Sequence, residues 1–190
     1  NRYVEKFVVG KGQEYTHTIF GKYCRSLNIP DDKLPEFYNI YKRASRVAEF
    51  NFTEKQKTVG PLIIDIDFKF KHEHGERQYN EDCIEILATN MIKIIKKYLK
   101  VNNDDLKVIV SEKESPCYKE KTNEYKDGIH LMIPLPIHVD MRYFMREELI
   151  KNAEKEGWFD DIPFTNTLDD VFDKAVIMRN GWMMHGSKKK

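Results

Sequence analysis

The stretch Leu62-Ile-Ile-Asp-Ile-Asp-Phe-Lys-Phe70 constrains this chain more than any other. On a strand, successive side chains point to opposite faces. Asp65, Asp67 and Lys69 then share one face, and Ile64, Ile66, Phe68 and Phe70 share the other. The second face is wholly apolar and must lie against a core. The first presents two carboxylates roughly 6–7 Å apart along the strand. Both can reach one metal, or bridge two metals ~3.5–4 Å apart. Two like charges side by side without a cation are costly, and unpaired acids are rare on a buried central strand. The segment therefore predicts a divalent-metal site on Asp65 and Asp67. The plainer reading is a solvent-exposed strand face with Lys69 as counter-charge.

Around this strand the pattern is mixed. Tyr3 to Val9 alternates weakly and reads as a strand. Pro30 to Phe37 reads as a turn entering a helix, with Phe37, Ile40, Tyr41 and Ala44 at helical spacing. Gly60-Pro61 breaks the chain ahead of the strand Leu62 to Phe70, and Lys71 to Asn80 is loop-like. Glu81 to Leu99 is the clearest helix. Ile84, Leu87, Met91, Ile94, Ile95 and Tyr98 form its stripe, and Asn80 is a plausible N-cap. A turn at Asn102 to Asp105 leads into a strand from Leu106 to Ser111. Gly128 to Leu135 is another strand, ended by Pro134 and Pro136. Met141 to Glu156 is an amphipathic helix, and Trp158 to Thr167 is irregular. Val171 to Met178 and Gly181 to Met184 read as strands in a hairpin around Arg179-Asn180-Gly181. Strands and helices do not alternate strictly, so the fold class is α+β.

Bulk properties exclude little. The 190 residues suffice for one sizeable domain or two small halves, and 41% hydrophobic with 33% charged residues is an ordinary globular mix. No apolar run approaches the ~20 residues that span a bilayer, so no membrane partner is expected, and there is no signal peptide. The chain starts at Asn1 rather than Met, from which a piece of a longer protein is expected. A net charge of +1 makes no global case for nucleic acid. The lysines at 93, 96, 97 and 100 read as a solvated helix face. Cys24, Cys83 and Cys117 are odd in number and far apart, which predicts a reduced intracellular compartment.

Two further segments carry chemistry. In Lys126-Asp-Gly-Ile-His-Leu-Met-Ile-Pro134, a strand puts Gly128, His130 and Met132 on one face. Gly128 leaves room for a ligand, while His130 and Lys126 suit phosphate oxygens. A lone strand histidine is otherwise a satisfied structural residue. From Leu168 to Lys189 the chain offers an acid entering a strand and then Gly186-Ser-Lys-Lys, whose amides and lysines suit a phosphate.

Taken together, these segments resemble the archaeo-eukaryotic primase superfamily, in its primase-polymerase branch. The similarity is to the N-terminal primase domains of primase-helicases of large DNA viruses and phages. Ile64-Asp65-Ile66-Asp67 matches the family's first motif. Gly128-Ile129-His130 matches the second, with Gly where many relatives have Ser. Phe172-Asp173-Lys-Ala-Val176 fits the third best, with Asp169 and Asp170 as competing candidates. Asn180-Gly-Trp182 and Gly186-Ser-Lys188 resemble the close of the viral branch. The motifs span residues 61 to 190, and the first 60 residues match only loosely.

The resemblance implies one primase-polymerase catalytic domain over residues 1–190. Its fold would be an RRM-like catalytic sheet packed against a second α/β unit, with the active site in the cleft between them. Asp65, Asp67 and Asp173 would bind two Mg²⁺ or Mn²⁺ ions. His130, Lys126, Gly128 and Lys188, with Arg179, would hold the phosphates of an NTP or dNTP. A single-stranded DNA template would draw on Arg43, Arg46 or Tyr41. A helicase would follow in the same polypeptide, acting at an intracellular site of viral replication. Two rivals stand beside this. Asp67-Phe68-Lys69 with Glu112-Lys113 suits a metal-dependent nuclease, which needs a further acid from an earlier strand. A non-catalytic RRM-like binder of single strands expects exposed aromatics on the sheet. His72-Glu-His74 could suggest a metal, though two ligands in a polar loop are far more often a solvated turn.

Overall fold

The apolar face of the aspartate strand decides the layout. In the computed structural model, which describes residues 3–21, 24–71 and 73–187, the chain forms two compact units. Asn1–Lys57 and Met178–Lys190 make the first; Thr58–Ile177 make the second.

The first unit is a five-stranded antiparallel sheet. Its strands are β1 (Val8–Val9), β2 (His17–Ile19), β3 (Arg25–Leu27) and β4 (Phe52–Lys55), joined by β9 (Gly181–Met183) from the far end of the chain. They lie in the order β1-β3-β2-β4-β9. Helix α1 (Leu34–Ala44) starts with proline in its first turn, as the sequence predicts, and contributes Phe37 to a core with Leu27, Ile29 and Phe52. Tyr3 to Val9 is not one strand: Val4–Phe7 form a 3-10 turn and only Val8–Val9 pair.

The second unit is built on β5 (Val59–Lys71) and β8 (Glu124–His138), paired antiparallel along most of their length. Ile64, Ile66, Phe68 and Phe70 are buried while Asp65, Asp67 and Lys69 are half-exposed, as the alternation predicts. Strands β6 (Ile109–Glu112) and β7 (Cys117–Lys119) both pair with β8. Helices α2 (Glu81–Tyr98) and α3 (Val139–Glu156) supply Leu87, Met91, Ile95, Met145 and Leu149 to the core on the Ile66 side. Asn80 caps α2 by accepting from the Cys83 amide at 3.2 Å.

Both long strands overrun their predicted ends. Gly60-Pro61 does not break β5, and Pro134 and Pro136 do not end β8. The register shifts between Gly60 and Leu62, opposite the two later prolines. All three prolines thus fall in an irregular stretch, where a missing N–H costs no regular ladder bond. Strand β6 starts at Ile109 rather than Leu106, because the Leu106 amide closes a turn onto the Asn103 carbonyl at 3.1 Å.

The expected hairpin around Arg179-Asn180-Gly181 is also absent. Leu168–Val171 form a short helix, α4, capped by the Thr167 hydroxyl on the Asp170 amide. Lys174–Ile177 form a 3-10 turn begun by Asp173 Oδ1 on the Ala175 amide. These local side-chain bonds offer the backbone an alternative to a ladder. Strand β9 pairs instead with β4, through Thr53↔Met183.

Two residues give direct tests. Gly128 faces Asp67 across the ladder, and a Cβ there would lie 2.2 Å from the Ile66 carbonyl oxygen. Backbone cannot yield as a flexible side chain does, so Gly128→Ala should destabilise by about 1–3 kcal/mol, read as a lower urea midpoint.

His17 is fully buried, with its ring 4.8 Å from that of Phe37. Its Nε2 is 3.7 Å from Glu54, too far for a hydrogen bond, and burial, reinforced by Lys57, lowers its pKa to about 4. Between pH 6.5 and about 4 the unfolded chain binds a proton that the folded chain does not, so stability falls with acidification. The loss from this group should total about 3 kcal/mol and level off below pH 4. Burial pushes the Glu54 carboxyl up, which slopes the other way but persists in the comparison. Unfolding titrations of wild type minus His17→Leu should recover the histidine's slope.

Candidate active site

Register performs the first step of assembly. Asp65 lies opposite His130, Asp67 opposite Gly128 and Lys69 opposite Lys126, all on the face away from α2 and α3. His130 Nε2 is 3.3 Å from Asp65 Oδ1. Asp67 is flanked on both oxygens: Lys113 Nζ is 3.4 Å from Oδ1 and Lys126 Nζ 3.8 Å from Oδ2. Lys126 also lies 4.0 Å from Glu124.

The outer edge of β5 brings the third acid. Ile66 bridges Phe172 antiparallel, which sets Asp173 beside Asp65, and the Asp173 amide donates to the Asp65 carbonyl at 2.9 Å. Further along, the Asn166 side chain takes the place of a neighbouring strand. Its Nδ2 donates to the Asp67 carbonyl at 2.9 Å, and its Oδ1 accepts from the Lys69 amide at 3.0 Å. The Thr165 amide closes the edge onto the Lys69 carbonyl at 2.8 Å. Lys69 is thus clamped by its backbone.

Two arginines of α3 hold the segment that carries Asp173. Arg146 is 1% exposed and donates from Nε to the Phe172 carbonyl and from Nη2 to the Asp169 carbonyl, both at 2.6 Å. Nη2 also meets Asp169 Oδ1 at 2.8 Å. That bond to Arg146 holds the Asp169 carboxyl below its usual range. Asp169 is therefore spent on Arg146, whereas Asp173 stands beside Asp65. Arg142, fully buried, reaches the Ile177 and Thr58 carbonyls at 3.4 Å.

Another arginine–carboxylate pair stands behind Gly128. Asp127 is fully buried on the core side of β8, and Arg77 Nε donates to it at 2.9 Å, which raises the arginine pKa further. Arg77 also meets Glu112 at 3.1 Å and donates to the Lys113 carbonyl at 2.5 Å.

The other predicted residues divide plainly. Arg43, Arg46 and Arg179 are exposed residues of the first unit. Tyr41 is structural: its hydroxyl donates to the His185 carbonyl at 2.8 Å and lies 2.9 Å from Ser187 Oγ. The Ser187 amide donates to the Met184 carbonyl, and its Oγ accepts from the Phe52 amide, so that serine is occupied within its own unit. Lys188 and His72 lie outside the described residues. The lysines at 93, 96, 97 and 100 are exposed.

The donor set suits a hard divalent cation: two half-buried carboxylates on one face and a third in register beside them. Asp173 uses Oδ1 on the Ala175 amide at 2.8 Å, leaving its second oxygen for a ligand. Among the described residues, no three His, Cys, Asp or Glu side chains already converge as a ligand group.

Sequence reasoning missed Arg142, Arg146, Arg77, Asp127 and Asn166. Arg142 and Arg146 fall in one helical stripe with Met145, Leu149 and Ala153, all buried. Charged residues inside an apolar stripe were the available signal. Asp127 breaks the apolar register of Ile129, Leu131 and Ile133 in the same way. Asn166 sits in an irregular stretch that gives no signal.

The chain belongs to the archaeo-eukaryotic primase family. Residues 16–190 match the family model described as "C962R protein N-terminal AEP domain". The chain is also 41% identical over 195 residues to "Putative helicase L207/L206" of Acanthamoeba polyphaga mimivirus. That similarity covers 99% of this chain and 20% of the viral protein's length. No helix among the described residues is long and apolar enough to cross a membrane.

Arg146→Met leaves the Phe172 and Asp169 carbonyls without their donor. Each buried unpaired group costs about 1–3 kcal/mol, so a total loss of about 2–5 kcal/mol is expected by chemical denaturation. Hydrogen exchange should show the Asp173 amide losing protection before the β5–β8 amides do.

Proposed function

We propose that this domain is a DNA-dependent primase/polymerase that joins NTPs or dNTPs on a single-stranded DNA template. The observation that carries the reading is the setting of Asp65, with His130 at 3.3 Å on one side and the Asp173 backbone bonded to it on the other. The second unit runs strand (β5), helix (α2), three strands (β6, β7 and β8), helix (α3), and then the Phe172 bridge, with that bridge outside β5 and β6 outside β8. This order supports an RRM-like catalytic sheet.

In this reading Asp65, Asp67 and Asp173 hold two Mg²⁺ or Mn²⁺ ions. When bound, the ions lower the pKa of the attacking 3′-hydroxyl and balance charge on the departing pyrophosphate. The chain's own residues do the rest. The ladder fixes Asp65 and Asp67 one pleat apart, and the Arg146-held segment presents Asp173. His130 donates to phosphate oxygens while Asp65 orients its ring, and Lys126 moves from Asp67 onto the nucleotide. Gly128 keeps the two strands close. The similarity to a putative helicase of mimivirus, of which this chain matches 20% of the length, supports a helicase in the same polypeptide.

The nuclease form built on Asp67 and Lys69 needs an acid from an earlier strand, yet the sheet neighbours of β5 among the described residues are β8 and the Phe172 bridge, both later in the chain. A non-catalytic single-strand binder would show rings beside Asp65 and Asp67, whereas Phe68 and Phe70 face the core.

Incubation with single-stranded DNA, labelled nucleotides and Mn²⁺ tests the reading. Wild type should make short oligomers, and Asp65→Ala should lose at least about 10²-fold, the scale of removing one electrostatic contribution to the transition state. Strand cleavage without synthesis would overturn it in favour of a nuclease. Binding of the strand with neither activity would overturn it in favour of a binder.

A further inference from the structure

We propose that Lys113, at the end of β6, is a nucleotide-phosphate ligand that rests on Asp67 until nucleotide binds; the inference builds on the nucleotidyl-transfer reading above. The resemblance that pointed to Lys126 says nothing of Lys113.

The argument begins with charge. Asp67 is one carboxylate, yet ammonium groups approach both of its oxygens, Lys113 at 3.4 Å and Lys126 at 3.8 Å. Lys69 shares that face, directly opposite Lys126. Lys126 is shared, since it also lies 4.0 Å from Glu124. Lys113 becomes useful when a triphosphate arrives, because its ammonium can then pass from Asp67 to a phosphate oxygen.

The second line is anchoring. The Lys113 carbonyl accepts from Arg77 Nη2 at 2.5 Å, and Arg77 is itself fixed by the fully buried Asp127. Arg77 also meets Glu112, the residue before Lys113, and stacks over the Tyr79 ring at 4.9 Å. A fully buried carboxylate is expensive to install without a partner, and Arg77, itself 30% exposed, is that partner. Here it locks the backbone at the root of one lysine and leaves the four-carbon stem free to swing. That suits an ammonium which must reach Asp67 in one state and a phosphate in the next.

Two opposite effects follow from one side chain. Before nucleotide binds, Lys113 competes with a cation for Asp67. Afterwards it contributes a charge-assisted bond to phosphate. Lys113→Met should therefore tighten Mn²⁺ binding to the nucleotide-free protein by about two- to fivefold, the range of an exposed ion pair. It should weaken dATP binding to the Mn²⁺-loaded protein by about tenfold, the low end for a hydrogen bond to a charged group. Lys113→Arg should restore most of the dATP affinity.

Electron paramagnetic resonance of free Mn²⁺ reads the first quantity, and calorimetry with dATP reads the second. The Lys113 side chain is 41% exposed, so both variants should melt with wild type. Unchanged affinities in Lys113→Met, or two affinities that fall together, would overturn the role of Lys113 while wild type still binds Mn²⁺ through Asp65. Wild type that binds no Mn²⁺ would overturn the nucleotidyl-transfer reading as well, so the two failures are distinguishable.

Discussion

The β5–β8 ladder is the constraint from which the candidate site derives. Side chains on a strand repeat every two residues, so a slip of one position would turn every residue of β5 to the other face. Asp65, Asp67 and Lys69 would then enter the core, and Ile64, Ile66 and Phe68 would leave it. Burying two carboxylates and an ammonium without partners costs far more than any local preference could return. The register that buries Ile66 against Ile129 is the one that sets Asp65 opposite His130 and Asp67 opposite Gly128. Hydrophobic burial on one side of the sheet thereby dictates the chemistry on the other. Gly128 adds to this, since a side chain there would push the strands apart where the acids stand.

The second constraint is paid for in polar burial. Segments 168–177 carry no regular strand, so nothing repetitive holds Asp173 in place. Arg146 and Arg142 supply that hold from inside the core, binding carbonyls of Asp169, Phe172 and Ile177. A guanidinium suits the task because its donors are fixed in one plane and span several acceptors. These carbonyls would otherwise be unpaired under α3. The same device recurs at Asp127 and Arg77, which tie β8 to the end of β6. In each case an arginine, buried at 142 and 146 and part-exposed at 77, fixes a piece of backbone against the sheet.

How far the sequence carried the reading follows from these two constraints. Periodicity reports which face of an element is buried, so the face pattern of β5, the stripe of α2 and the pairing of acids on one face were legible. Strand length was not, because prolines at 61, 134 and 136 read as stops, whereas all of them fall in one register shift that only the pairing reveals. The hairpin expected around Asn180 was not either. Its strand-like residues Val171 to Met178 are apolar because they are buried, while Thr167 and Asp173 bend them into turns through local bonds. Strand β9 finds its partner β4 across more than a hundred residues, and no local pattern encodes that. Among the candidate site residues, Asp65, Asp67, Lys126 and His130 lie together. Asp173 joins them by its backbone, through the Phe172 bridge that the sequence did not predict.

Lys69 shows what alternation alone leaves unexplained. From sequence it is the natural counter-charge to Asp67, two residues away on the same face. The structure assigns that task to Lys113 and Lys126, which approach the two carboxylate oxygens from other parts of the sheet. The Lys69 backbone is clamped by Asn166 and Thr165, so its side chain projects from a fixed root opposite Lys126. Three lysines then surround the end of an acidic row whose other end meets His130. Such an arrangement grades the face from negative at Asp65 and Asp173 to positive at Lys69 and Lys126.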